Sequence, residues 1–253
     1  ISFLINLEEL KLSSNQLSGR IPGEIGQLIN LEVLALNNNS LAGKFPEELG
    51  ELINLSWVYL ASNYFNGQIP IYFGKMQNMT YLNLSNNRLD GEIPPSIGNL
   101  KKLQYLNLSE NKLIGSIPES IGKLNLFRLN LEKNTLSGNI PGSLGALDNI
   151  VQIDLESNEL TGNIPASIGK LKKLKTLDLH NNKLTGVLPD SFSDCIELEE
   201  LNLSNNKLSG SIPLQLDKLE NIKAINLSFN QFSGAVPIYL LNKNNLEQVY
   251  LNS

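Results

Sequence analysis

Glu132, Glu156 and His180 follow one another at intervals of 24 residues, and Asp154 and Asp178 are separated by the same step. Paired carboxylates beside a histidine suit acid–base chemistry, a glycosidase-type pair or the holding of a cation. An aromatic group keeps the same rhythm: Trp57 and Tyr59, then Tyr81, then Tyr105. Rings with polar tips are favoured binding anchors. Arg128 and Lys133 flank the acidic set. Which chemistry is open to these groups depends on what the 24-residue interval builds.

That interval belongs to one phrase, L-x-x-L-x-L-x-x-N-x-L-x-G-x-I-P, repeated from Leu7 to the end of the 253 residues. Asn15, Asn39, Asn63, Asn87, Asn111, Asn134, Asn158, Asn182, Asn206 and Asn230 mark its register. Eight of their nine spacings are 24 residues, and the one from Asn111 to Asn134 is 23. A fixed period of this size means stacked coils. Ten of the 11 prolines occupy one repeat position, and ten of the 19 glycines precede those prolines by three residues.

The repeat beginning at Leu103 shows what each position does. Tyr105-Leu106-Asn107-Leu108-Ser109 alternates with period two, which predicts a short strand with Leu106 and Leu108 inward and the other three outward. Stacked strands make a parallel sheet at about 4.8 Å spacing. Leu103, Leu113, Ile117, Ile121 and Leu124 complete the interior. Asn111 ends the strand, where an amide can satisfy backbone groups left unpaired by the turn, so the ten asparagines read as a structural ladder. The glycine tolerates a turn conformation, and the proline belongs on the outer side of the coil. P-x-x-I-G-x-L is long enough only for a turn or two of 3₁₀ or α helix. The missing residue near Lys123-Leu124-Asn125 predicts a tighter convex loop with an unbroken sheet.

The net charge of −5, from 20 basic and 25 acidic residues mixed along the chain, offers no basic stripe for nucleic acid. No apolar run is long enough to span a bilayer, so any membrane attachment is expected through segments outside this chain. The one cysteine, Cys195, leaves the redox compartment undecided.

The repeat phrase resembles the plant-specific leucine-rich repeat of receptor-like kinase and receptor-like protein ectodomains. Leu17-Ser18-Gly19-Arg20-Ile21-Pro22 and Leu160-Thr161-Gly162-Asn163-Ile164-Pro165 match it fully, and the resemblance spans about ten repeats. It implies an α/β, β-rich solenoid: a right-handed horseshoe or superhelix with one concave parallel sheet and short 3₁₀/α turns on the convex side. It further implies an extracellular or apoplastic location, at the plasma membrane or secreted, with a peptide or protein ligand on or beside the concave face and a possible co-receptor. Cysteine-containing caps, a long island insert and an R-x-R strand are absent; Arg128 stands alone before Leu129 and Asn130. Residues 1–253 therefore read as one domain, a fragment of about ten 24-residue repeats, uncapped from Ile1 to Ser253. A signal, an anchor and any kinase domain are expected outside it.

Because the scaffold positions are forced, partner information must sit on the outward strand positions. Three columns result. The first runs Glu9, Val33, Trp57, Tyr81, Tyr105, Arg128, Gln152, Thr176, Glu200 and Ala224. The second runs Lys11, Ala35, Tyr59, Asn83, Asn107, Asn130, Asp154, Asp178, Asn202 and Asn226. The third runs Ser13, Asn37, Ala61, Ser85, Ser109, Glu132, Glu156, His180, Ser204 and Ser228.

Trp57, Tyr59, Tyr81 and Tyr105 then form a rail, either a binding surface or cross-strand packing that stiffens the sheet. Glu132, Asp154, Glu156, Asp178 and His180 form an acidic patch beside Arg128, either awaiting a cationic partner or screened by salt. An open sheet without an enclosing wall is a poor place for hydrolysis, and the ligand set is poor for a metal, so no catalytic residue, metal or cofactor is expected. His180 reads as solvated or carboxylate-paired, with a capacity to make binding sensitive to mild acid.

Asp178 lies five strands from Trp57, about 24 Å, which an extended peptide of about seven residues covers. Seven N-x-S/T sequons occur, at Asn38, Asn54, Asn78, Asn83, Asn107, Asn202 and Asn226; Asn54 and Asn78, just before a strand, are the better glycosylation candidates. The competing functional readings are a secreted inhibitor of pathogen wall-degrading enzymes and a co-receptor scaffold.

Overall fold

A computed structural model describes residues 4–243 and 245–252; Ile1 and Ser253, named above as the ends of an uncapped domain, lie outside the described residues, so that expectation is untested. Among the described residues, eleven parallel strands form one sheet in strict chain order, from Glu9–Lys11 to Gln248–Tyr250. Each strand is three residues long, shorter than the five-residue alternation: Tyr105–Asn107 is strand, and Leu108 and Ser109 lie beyond it. Its middle residue faces inward: Leu34, Leu82, Leu106, Leu129 and Ile153 are fully buried. Burying a side chain of this size is worth roughly 1.5–3 kcal/mol, so the core is a sum of many similar coil contributions.

The asparagine ladder forms as expected. Asn87 Nδ2 donates to the carbonyls of Leu60 and Leu84 at 3.0 and 3.1 Å, while its Oδ1 accepts the backbone N–H of Phe65 at 3.0 Å. One amide thus ties its own coil to the coil before it. The residue preceding each ladder asparagine is left-handed, with φ between 49° for Lys133 and 57° for Asn38. Nothing in the repeat phrase marks that position, since serine, asparagine, glutamate, lysine and phenylalanine all occupy it.

In nine repeats, from Pro22 to Pro213, the proline stays extended and starts a five-residue 3₁₀ turn, as in Pro94 before Pro95–Asn99 and Pro165 before Ala166–Lys170. After Pro237 the turn is the four-residue α-helix Tyr239–Asn242. The glycine in the 3₁₀ turn is demanded by crowding: a methyl group on Gly26 would lie 2.6 Å from the Glu48 backbone oxygen. Besides the concave sheet, short parallel strands on the flank form five-, two- and three-stranded ribbons, which the repeat phrase did not announce. They arise where the x-L-x-G segments of successive coils run side by side, for example Ser40–Gly43 with Tyr64–Gly67.

The short repeat behaves as predicted. Leu124, after the Glu119–Lys123 turn, takes ψ 167°, whereas the equivalent Leu100 and Leu147 sit at 69° and 70°. Straightening that one residue spans the gap left by the deletion. The sheet remains in register, with Arg128 opposite Tyr105 and Leu129 opposite Leu106.

Candidate concave-face site

The strand register turns the three outward columns into physical neighbours: Val33, Trp57, Tyr81, Tyr105 and Arg128 lie side by side, as do Asn130, Asp154, Asp178 and Asn202. All the residues singled out from sequence on this face therefore share one surface.

The aromatic residues are stacked on one another. Tyr81 and Tyr105 have centroids 4.2 Å apart and planes 2° from parallel; Tyr59 and Tyr81 are 4.5 Å apart at 26°. Trp57 stacks on Tyr81 at 5.8 Å and 19°. Tyr81 is thus covered on both sides, and burial, followed by the neighbouring Tyr105, pushes its phenol well above the usual tyrosine range. Cross-strand packing and an exposed aromatic surface coexist here. What the inner rings offer a partner is edges and hydroxyls; the ring left most open is Trp57, 45% exposed.

On the far side of that ring the face sinks. Val33 and Ala35, the register neighbours of Trp57 and Tyr59, are small, and the surface rises again at Glu9 and Lys11. The result is an open depression of about 710 Å³ with Glu32 also on its rim. Val33, Ala35 and Lys11 were in the outward columns but were not singled out; the signal was small side chains beside large ones in the same column.

The acidic patch has an unexpected foundation. Asn107 and Asn130 in the second column use Oδ1 to accept the backbone N–H two residues on, at 3.0 and 2.9 Å. Asp154 and Asp178 do the same toward Glu156 and His180, at 3.1 and 3.0 Å. The backbone turn needs only that oxygen. At Asp178 the negative charge also meets His180 and Asn202, whereas at Asp154 it is surplus to the fold. It is costly: burial above all, then the charges of Asp178, Glu132 and Glu156, raise the Asp154 carboxyl to about 7. Burial likewise raises Glu156, against the opposing pull of His180.

His180 Nδ1 lies 2.7 Å from Asp178 Oδ1 and 3.2 Å from Glu156 Oε2. Asn202 Nδ2 donates to the other Asp178 oxygen at 3.1 Å. The imidazole is carboxylate-paired, one of the two states expected from sequence. Lys133 bridges Glu132 at 3.5 Å and Glu156 at 3.7 Å, and those carboxylates hold its ammonium above the ordinary lysine range. Arg128, exposed between the aromatic stack and the acids, has no ion pair among the described residues.

Ligand atoms of Glu156, Asp178 and His180 lie within 4.8 Å of one another, as do those of Glu132, Asp154 and Glu156, a spacing at which a cation can be shared. The groups stand on an open sheet, and two of their oxygens, Asp154 Oδ1 and Asp178 Oδ1, are already engaged by backbone N–H. Asn54 and Asn78 are exposed on the flank; Asn54 Nδ2 donates to the Ile29 carbonyl at 2.9 Å, and Asn78 Oδ1 accepts from Lys102 at 2.8 Å. No helix among the described residues is long and apolar enough to cross a membrane.

Stacked coils with a forced interior and a variable open sheet define a repeat solenoid. Leucine rich repeat profiles match residues 53–113 and 165–232, and single-repeat profiles match residues 6–28, 30–52, 125–147 and 149–171. The chain belongs to the leucine-rich-repeat family.

Among solved structures it is similar to the plant peptide hormone receptor RGFR1 in complex with RGF2 (36% identity, TM-score 0.97, 99% of this chain and 40% of that one). It is similar also to the ectodomain of the Arabidopsis thaliana membrane receptor kinase GASSHO1/SCHENGEN3 in complex with CASPARIAN STRIP INTEGRITY FACTOR 2 (37%, 0.91, 96% and 33%). A third similar structure is a TDR receptor (35%, 0.90, 99% and 48%). The chain therefore spans less than half the length of each of these receptors. A search of curated protein sequences returned no significant match.

Proposed function

We propose that this chain is part of the extracellular ligand-recognition array of a plant receptor-like kinase, and that it binds an extended peptide across its concave face. The aromatic stack takes an apolar or aromatic end of the peptide, and Glu132, Asp154, Glu156 and Asp178, with His180, take a basic residue about 24 Å away. Arg128 lies between them and would attract an acidic group of the ligand. The observation that carries this reading is the surplus charge at Asp154, where asparagine would serve the fold equally well, set beside the Asp178 carboxylate on the next strand. The similarity to a plant peptide hormone receptor in complex with RGF2 supports it. Attachment to a membrane, a co-receptor partner, a kinase domain and glycans on Asn54 and Asn78 accompany the same reading.

Calorimetry against a library of extended peptides of about seven residues tests it. Peptides with an apolar end and a distant lysine or arginine should bind, and a protein with Trp57, Tyr81 and Asp178 all changed to alanine should lose that binding. Full retention of binding by the triple variant overturns the proposal.

A further inference from the structure

The aromatic stack stops abruptly. Tyr105, Tyr81 and Trp57 occupy three consecutive strands, and the next strand toward the N-terminus places Val33 and Ala35 where the following rings would stand. One strand further, Glu9 and Lys11 rise again and pair with each other. The depression is therefore a slot: a floor of methyl groups, with Trp57 and Tyr59 on one side and the paired Glu9 and Lys11 on the other. Its walls are two strands apart, about 10 Å at sheet spacing. A planar ring in van der Waals contact on both faces needs roughly 7–8 Å. One ring fits and two do not.

We propose that this slot takes a single aromatic side chain of the ligand, which lies against the open face of Trp57 and becomes the next rung of the stack. The inference rests on the concave-face reading above and names the chemical class of the residue that meets the aromatic end. The occupant's inner face gains offset stacking on the indole, as Trp57 itself has on Tyr81. Its outer face looks toward the Glu9–Lys11 pair, whose ammonium carries charge far enough to oppose the effect of burial on the Tyr59 phenol. A cation over a ring favours a π system above an aliphatic one of the same shape. A guanidinium, which also stacks on indole and would find Glu32 and Glu9 at the rim, is the competing guest. Lys11 repels it, and Glu9 is already engaged by Lys11.

Trp57 is the chain's one tryptophan, so its indole N–H gives a single, unmistakable resonance in a nitrogen-15 correlation spectrum. The probes are N-acetyl-phenylalanine amide, N-acetyl-cyclohexylalanine amide and N-acetyl-arginine amide. The phenyl probe should shift that resonance saturably, and the cyclohexyl probe should bind about threefold more weakly, the equivalent of one exposed cation–π contact.

Val33→Phe places the protein's own ring in the slot and should abolish the response, with peak dispersion confirming the fold. Lys11→Gln, on an exposed side chain, should remove the preference for phenyl over cyclohexyl even if Val33→Phe fails to fold. Equal binding of the two ring probes, tighter binding of the arginine probe, an unchanged response in Val33→Phe, or no indole shift up to the solubility limit overturns the proposal. These probes report on the slot without any peptide. Slot binding with no peptide binding would refute the receptor reading alone, and peptide binding through the acidic patch with a silent indole would refute the slot alone.

Discussion

Asp154 and Asp178 face each other on adjacent parallel strands, and each uses one carboxylate oxygen to accept the N–H two residues further along its own chain. Their neighbours in the column, Asn130 and Asn202, fill the same role with an amide. Architecture and charge can therefore be separated at these two positions by a single-atom change.

Asp154→Asn and Asp178→Asn should fold with unchanged circular dichroism, and Asp154→Asn should raise the melting temperature, because like charges opposed across strands destabilise. The same variants should weaken a peptide's basic end. A fall in melting temperature for Asp154→Asn would show that its charge is structural after all.

Proton linkage gives a second test. The folded Asp154 carboxyl is raised to about 7, and Glu156 is raised as well, so the folded chain holds protons that the unfolded chain has released. The stability these groups contribute is complete below the unfolded carboxylate value of about 4 and is lost as pH rises through about 7. Urea midpoints measured from about pH 5 to about pH 8 should therefore decline more steeply for the native sequence than for Asp154→Asn. A cationic ligand should show the opposite trend and bind more tightly as Asp154 ionises.

The ladder asparagines should tolerate no truncation. Asn158 Nδ2 donates to the carbonyls of Leu131 and Leu155, and its Oδ1 accepts the N–H of Leu136. Asn158→Ala leaves these buried groups unpaired and should cost about 3 kcal/mol in urea unfolding. A loss below about 1 kcal/mol would mean that water replaces the amide.

Cys195 offers a check on the packing of the convex side. It is fully buried, its thiol bonds to the Ile168 carbonyl at 3.3 Å, and burial pushes it up to about 11. Ellman's reagent should leave the native protein untouched and titrate one thiol in denaturant. Rapid reaction of the folded chain would show that this coil opens.

Much of the site was legible in the sequence because a fixed period converts spacing into adjacency. The 24-residue step placed Trp57 beside Tyr81 and Asp154 beside Asp178, and the register agrees strand by strand. The short repeat was readable for the same reason, since leucines on both sides of Leu124 kept their phase.

Orientation within a column was not readable. That Tyr81 spends both faces on its neighbours depends on side-chain rotation, which spacing does not encode. The depth of Asp154 depends on how closely the side chains of neighbouring strands crowd it. The left-handed residue before each ladder asparagine is not marked in the sequence, because backbone bonds to adjacent coils hold it. Ser157 N–H donates to the His180 carbonyl and its own carbonyl accepts from Asn134, leaving the side chain at this position free to vary from Ser157 to Phe229.

The way Leu124 absorbs a lost residue by straightening, while Arg128 keeps its place opposite Tyr105, has a quantised consequence. Partial insertions and deletions vanish into the back of the molecule, whereas excising a whole coil moves the aromatic and charged ends toward each other by one rung, about 4.8 Å. A ruler of this kind can be reset only in whole marks. Ligand length would then be inherited as an integer, and a chain engineered to lack one central coil should select a peptide shorter by one or two residues.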